Sequence, residues 1–414
     1  LKIIRDDISY ITFLPILFFP IFQFAMTTKL LIFWALISLL FGYKNISSQW
    51  NKYGIKPIFT LFSWCLIYVL LLLFSTDIVL ELKKIKVFLP LLVFPIVFFY
   101  FLKENFTKKQ LRGIYIAFIT ANILHFILAI KYLHVKFLPL YLDEYLGFNF
   151  VEYLKYLYKY HHYLYDERPG IGFGVFHHKL YNSAFVLVSV FLLLKLLRTT
   201  DKILSKVIYV ILLSVCILFL GLMFSLPVMV IAIAIITYDI LKNIFNVNTK
   251  KIIVLFLIFC SLMFSVIISN KPIRHKLQDN FIEGVSSRTH IYNCAKQLIF
   301  KSPIVGYGIV NHQQLLNDCY KEDKLNRYYT QSGGLNSHNF YLFLLLSGGG
   351  VVFIAFGYML YVCFFTAIRS NNYVYFYFLL LITVMLLVEN FLVRSYGVFF
   401  MGIFNTLWYR RLWS

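Results

Sequence analysis

"KVIYVILLSVCILFLGLMFSLPVMVIAIAIITYDIL", residues 206–241, decides what kind of fold this chain can adopt. It is one apolar run, interrupted only at Ser225-Leu226-Pro227. A helix needs about 20 apolar residues to cross the hydrocarbon core of a bilayer. The run is too long for one such crossing. Proline lacks an amide hydrogen and fixes φ, so it suits the start of a helix and not its interior. The stretch therefore reads as two membrane helices, 206–223 and 226–241, joined by a tight turn.

The rest of the chain follows the same pattern. Its 414 residues are 60% hydrophobic and 20% aromatic, with 14% charged, and the mean hydropathy is +0.77. A soluble surface requires more charge than that. Twelve apolar spans are expected, at 8–26, 29–43, 57–75, 87–102, 113–130, 180–197, 206–223, 226–241, 252–269, 339–367, 373–392 and 396–409. Lipid offers no hydrogen-bond partner, so the spans must be helices. The expected fold is an all-α polytopic membrane protein. No cleavable signal peptide is evident, and the first run reads as a span that stays.

The net charge of +21 would suggest nucleic acid in a soluble protein. Here the basic residues sort into alternate connections: Lys44, Lys52 and Lys56; Lys103, Lys108, Lys109 and Arg112; Arg198, Lys202 and Lys206; Lys242, Lys250 and Lys251; then Arg369; then Arg410 and Arg411. Every even-numbered span is followed by one of these clusters. That pattern points to cytoplasmic loops and lipid headgroups rather than nucleic acid, and places both termini in the cytoplasm. Leu82-Lys83-Lys84-Ile85-Lys86 is the exception and falls on the outer side, as a chance departure from the rule or as a cationic strip on anionic headgroups.

Two long loops are expected outside the membrane, giving five segments: spans 1–5 in 1–130, a Tyr-rich loop at 131–179, spans 6–9 in 180–269, a second loop at 270–338, and spans 10–12 in 339–414. Of the six cysteines, Cys65, Cys216, Cys260 and Cys363 lie in apolar runs and read as small core residues. Cys294 and Cys319 share the second loop, where an oxidising compartment would allow a disulfide.

A second stretch raises a different question. In "GGLNSHNFYLFLLLSGGG", residues 333–350, His338-Asn339 stands at the mouth of an apolar run that three glycines interrupt. His338 lies where a polar loop meets the membrane, a position suited to proton transfer or simply to hydrogen-bonding loop carbonyls. Upstream, Ser286-Ser287-Arg288 opens an amphipathic helix with Ile291, Ala295, Leu298 and Ile299 on one face. Lys301-Ser302-Pro303 ends it, and Gly306-Tyr307-Gly308 forms a turn whose amides could approach a ligand. Arg288 suits a diphosphate, or the phospholipid surface itself. At the close of the first loop stand Asp166, Glu167, Arg168, His177 and His178. Adjacent histidines do not share a helix face and no third ligand is spaced to join them, so no metal site is expected. Gly170, Gly172 and Gly174 lack the βαβ context of a dinucleotide site.

The order of these features resembles the O-antigen ligase and O-antigen polymerase superfamily of bacterial inner membranes. It rests on an arginine opening an outer helix (Arg288), a Pro-x-x-Gly-x-Gly turn (Pro303, Gly306, Gly308), about thirty residues of loop, and a His-Asn before an apolar helix with glycines (His338, Asn339, Gly348 to Gly350). The resemblance covers roughly 165–366. It implies a glycosyltransferase C-like architecture and an enzyme of the periplasmic face. Such an enzyme moves a glycan from undecaprenyl diphosphate to an acceptor hydroxyl, without metal or other cofactor. Ligases use lipid A–core as acceptor; polymerases use a second lipid-linked glycan. By the same resemblance, His338 and Arg288 would be catalytic. Arg168, Arg274, Asn339, Gly306, Gly308 and His178 would bind the donor diphosphate or substrate. One departure is Leu226, which stands where members often carry arginine; Arg168 or Arg274, or more weakly Lys83, Lys84 and Lys86, could replace that charge. A lipid-linked-oligosaccharide flippase or other transporter is the alternative from another class. Transporters place charges at the midplane and repeat their halves. Here His125 and Glu389 are the main ionisable residues inside spans, and the polar mass lies in the outer loops.

Overall fold

The computed structural model describes residues 2–74, 77–144, 179–223, 225–243, 288–322 and 336–411. Helices dominate, and no strand occurs among the described residues. In chain order they are α1 (Lys2–Phe13), α2 (Phe24–Gly42), α3 (Ile46–Tyr53), α4 (Lys56–Leu71), α5 (Ile78–Ile85), α6 (Leu89–Ile96), α7 (Lys108–Glu144) and α8 (Lys179–Thr199). There follow α9 (Ile203–Met223), α10 (Leu226–Asn243), α11 (288–301), α12 (Asn311–Glu322), α13 (Phe340–Arg369), α14 (Tyr373–Val388) and α15 (Ser395–Arg410). Most expected spans fall largely within helix, but 8–26 is broken between Phe18 and Phe24 and 373–392 leaves its helix at Val388, while 252–269 lies outside the described residues.

The break at Ser225–Pro227 falls where the sequence places it: α9 ends at Met223 and α10 begins at Leu226. Pro227 sits in the first turn of α10, where its missing amide hydrogen costs nothing. Among the described residues six helical stretches are long and apolar enough to cross a membrane: Phe24–Tyr53, Ile78–Phe101, Lys108–Tyr132, Lys179–Thr199, Ile203–Met223 and Phe340–Arg369. Four shorter apolar helices accompany them, at Asp7–Phe18, Lys56–Leu71, Leu226–Asp239 and Tyr373–Val388. One boundary differs from expectation. The helix opened at Lys108 continues to Glu144, through the first part of the expected loop 131–179.

α8 is the hub. The best apolar window of α8 is 83% buried, against 22% for the windows of α9 and of Phe24–Tyr53, so α8 is enclosed by other helices while those two face outward. A helix apolar on every face needs such enclosure or lipid. α9 and α7 pack on α8, α4 and α14 pack on α13, and α6 packs on α15. Aromatic rings fill the interior: Trp64 meets Phe88, Phe340 and Phe356 edge-on at 5.2, 5.9 and 5.2 Å.

Hydrogen bonds between connections sort them into two sets. At one end Asn45 donates to the Phe101 carbonyl, Gln49 to Lys103, Gln110 to Asp7, Arg112 to Tyr209 and Arg410 to Leu102. At the other end Glu81 meets Ile309 and Val310, His338 meets Glu389, and Ser337 meets Asn390. For the connections that they link, these sets agree with the lysine and arginine pattern. The strip Leu82–Lys86 belongs with the long second loop.

Candidate functional site

The three glycines of α13 make a seam. Gly349 has φ 64° and ψ −166°, a conformation open only to glycine, so the helical ladder parts there. In a continuous helix the Gly350 and Val351 amides would bond the Leu346 and Ser347 carbonyls. Instead the loop 303–308 inserts between them. Tyr307 and Gly308 donate their amides to the Leu346 and Ser347 carbonyls at 2.8 and 2.9 Å. Gly350 and Val351 donate to the Pro303 and Ile304 carbonyls at 2.8 and 3.3 Å. Two helical bonds are exchanged for four bonds between loop and helix, so the two amides and two carbonyls freed by the break are all paired. The approach is so close that a Cβ on Gly349 would lie 2.1 Å from the Ile304 oxygen. A Cβ on Gly306 would lie 2.6 Å from the Leu346 oxygen. The Gly306-Tyr307-Gly308 turn thus presents the Tyr307 and Gly308 amides to α13.

Three further contacts fix the outer segment. Glu81 of α5 is buried, and its carboxylate accepts the Ile309 and Val310 amides at 3.1 Å each, satisfying donors at the start of α12. Gly308, at φ +86°, leaves room for it, since a Cβ there would stand 2.4 Å from Glu81 Oε1. Cys294 of α11 and Cys319 of α12 form a disulfide, as the sequence allows. Around that disulfide Ile291, Ala295, Leu298, Leu316 and Tyr320 pack on Leu346 of α13. His312 donates from Nδ1 to the Gly308 carbonyl at 3.0 Å, and burial holds its pKa down at about 4, so the ring is neutral. A cavity of about 340 Å³ opens between Tyr68, Glu81, Tyr307 and Asn311.

About three helical turns before the seam stands His338. Its φ of 43° is unusual for a residue with a side chain. Asn336 Oδ1 accepts the His338 amide at 2.8 Å and holds the turn, while Asn339 Oδ1 caps α13 by accepting the Tyr341 and Leu342 amides. The ring of His338 is 33% exposed, and its Nδ1 lies 3.2 Å from Glu389 Oε2. A carboxylate on Nδ1 fixes the tautomer with the proton there and leaves Nε2 as an acceptor. Glu389 Oε1 accepts the Asn390 amide at 3.0 Å, and Asn390 is tied to Ser337, so the loop before α13 and the end of α14 are joined twice.

Of the residues expected from sequence, His338, Asn339, Gly306, Gly308 and Arg288 share this end of the bundle. Arg288 is exposed at the start of α11. Arg168, Arg274 and His178 lie outside the described residues. Lys83, Lys84 and Lys86 are exposed beside Glu81, and Arg394 is exposed at the start of α15, five residues beyond Glu389. Sequence reasoning missed Glu81 altogether, and it named Glu389 only as a charge inside a span. The available signals were an acid immediately before the basic strip 82–86 and another in an apolar run. Among the described residues no group of three or more His, Cys, Asp or Glu is placed to hold a metal ion.

No curated protein matches the chain. Residues 181–357, which run from α8 past the seam, match the family model described as O-Antigen ligase (Wzy_C), and this match supports a relation to the O-antigen ligase superfamily over that part of the chain.

Proposed function

We propose that this protein transfers a glycan from undecaprenyl diphosphate to an acceptor hydroxyl on the periplasmic face of the bacterial inner membrane. The observation that carries the proposal is the His338–Glu389 pair, held at 3.2 Å on a strained turn at the mouth of α13. Strain of this kind persists where the surroundings over-determine it, often at functional sites. His338 Nε2 would take the proton of the acceptor hydroxyl as its oxygen attacks the anomeric carbon. Glu389 would keep the ring oriented and stabilise the imidazolium that forms. The bond from the anomeric carbon to the phosphate oxygen breaks, and the diphosphate leaves on its lipid. Arg288 would contact the negative charge on that leaving group. No metal or cofactor is required by this scheme.

The acceptor is proposed to be lipid A–core, which makes the protein a ligase. The Pro303–Gly308 turn bound to the glycine seam supports this reading, being the arrangement that the ligase resemblance rests on. A polymerase that uses a second lipid-linked glycan differs only in the acceptor.

The test is transfer in proteoliposomes carrying undecaprenyl diphosphate glycan and lipid A–core. Glycan should appear on lipid A–core, and His338→Ala and Glu389→Gln should lower the rate about a hundredfold or more while the proteins remain folded. Arg288→Ala should fall comparably. Longer glycans on the carrier, with lipid A–core unchanged, would establish the polymerase. Variants as active as the unaltered protein would remove the site assignment and leave a transporter as the better reading.

A further inference from the structure

A second cavity, of about 530 Å³, opens at the other end of the bundle, between α8, α10, α13 and α14. α14 separates it from the proposed site: Tyr373 at the start of this helix lines the cavity, and Glu389 follows the end of it. Sixteen residues at 1.5 Å rise put the two sites about 24 Å apart. Transfer at His338 makes no use of this cavity.

The lining is divided along its depth. Arg198 in the last turn of α8, Tyr238 and Asp239 near the end of α10, and Tyr373 at the start of α14 form the outer part. Ala234 and Ile235 lie one turn deeper on α10, and Phe376 and Leu380 lie one and two turns deeper on α14. Ile368 is 61% exposed at the rim. The charge at the polar end is unbalanced. Arg198 pairs with Asp239, whose other oxygen takes the Tyr377 hydroxyl at 3.5 Å. Arg198 also lies over the Tyr373 ring at 5.4 Å, and Lys195 lies over the same ring at 5.9 Å. Lys195 further meets the Tyr115 ring at 5.8 Å, and Arg411 hydrogen-bonds the Tyr115 hydroxyl. Three cations thus surround two tyrosine rings, and Asp239 is the acid among the described residues lining the cavity. Arg198 keeps a third of its side chain exposed, so it can donate to a further partner. An anion with an apolar body would complete both parts of the lining.

We infer that this cavity binds an anionic phospholipid, with the phosphate at Arg198, Lys195 adding positive charge from behind the Tyr373 ring, and the acyl chains along Phe376 and Leu380. Ile368, exposed at the rim, would lie beside the lipid as it enters.

The purified, delipidated full chain in neutral detergent should be examined by native mass spectrometry and by thermal melting. The additions are phosphatidylglycerol, phosphatidylcholine, inorganic phosphate and undecaprenyl phosphate. Phosphatidylglycerol should bind and raise the melting temperature, and phosphatidylcholine should do so at least tenfold less effectively. Lys195→Gln should weaken phosphatidylglycerol about fivefold, the effect of one basic residue at a charged surface. Ile368→Glu adds a negative charge at an exposed rim position and should weaken it at least as much. It carries the test alone if Lys195→Gln does not fold. Equal binding of the two phospholipids, or unchanged binding in the folded variants, would overturn the inference. Inorganic phosphate acting as well as phosphatidylglycerol would reduce it to a soluble-anion site. Displacement by equimolar undecaprenyl phosphate would reassign it to the carrier lipid.

Discussion

Two interruptions of apolar sequence, Ser225-Leu226-Pro227 and Gly348-Gly349-Gly350, look alike on paper and do different work in the molecule. The first is local. α9 ends, α10 begins, and the first hydrogen bond of α10, from the Met229 amide to the Ser225 carbonyl at 2.9 Å, is made within the helix itself. The second is tertiary. Its freed carbonyls and amides are satisfied only by the loop 303–308, some forty residues away in sequence. A proline ends a helix by what it lacks, whereas a glycine opens one to whatever can approach. Only the second kind of break can carry a segment from outside the bundle and hold it against the membrane helices.

The largest expected effect follows from that dependence. Gly349→Ala must force a Cβ to 2.1 Å from the Ile304 oxygen and a side chain into a backbone conformation reserved for glycine. Strain of about 1–3 kcal/mol adds to the loss of up to four hydrogen bonds at about 1 kcal/mol each. The variant should lose about 4 kcal/mol or more of stability, read as a large drop in melting temperature in detergent, and transfer with it. A folded, active Gly349→Ala would show that α13 can close without the loop.

The disulfide comes next, because it holds the inserted segment from the far side. Cys294 and Cys319 are 25 residues apart, and closing such a loop is worth about 3.5 kcal/mol in the chain-entropy account. Changing both to serine should lower the melting temperature, and reductant should do the same to the unaltered protein but not to the double variant. Glu81 anchors the loop on its other side. Glu81→Ala leaves two amides unsatisfied, that of the buried Ile309 among them, at about 2–3 kcal/mol; Glu81→Gln, which keeps one acceptor oxygen, should lose about half of that. Equal losses in the two variants would mean that packing of the side chain, rather than its oxygens, fixes the loop.

The pattern of what the sequence reveals follows the same division. Hydropathy and the proline rule are local, so the helices, the break at 226 and the sorting of basic connections are legible residue by residue. The disulfide is legible because two thiols share one loop. The seam is half legible: the glycines announce an irregularity, but the loop that fills it is named only by the hydrogen bonds. Glu81 is the extreme case, since its partner Ile309 is 228 residues away. No spacing rule spans that distance. Glu389 is similar, 51 residues from His338, and it reads as a stray charge in a span until α13 and α14 are packed together.

A smaller effect is a pH dependence at the loop. His312 has its pKa lowered to about 4 from an ordinary value near 6.5, chiefly by burial, with Lys84 acting in the same direction. The folded state therefore resists the proton that the unfolded chain accepts. The stabilisation is complete above about pH 6.5 and is lost as pH falls from there toward about 4. His312→Gln should be less stable at neutral pH and should flatten that part of the melting-temperature profile. An unchanged profile would place the acid sensitivity in other groups.

The smallest effect belongs to the other break, and its size is what separates the two kinds. Pro227 occupies a first-turn position of α10 whose amide would have no partner within the helix. Pro227→Ala restores an amide hydrogen there and breaks no bond that the helix makes. It gives the unfolded chain somewhat more freedom, worth about 0.4–1 kcal/mol. The melting temperature should shift only slightly, and transfer should be kept. A loss as large as that of Gly349→Ala would mean that the turn at 225–227 also depends on a distant segment, and the contrast between a local and a tertiary break would fail at this position.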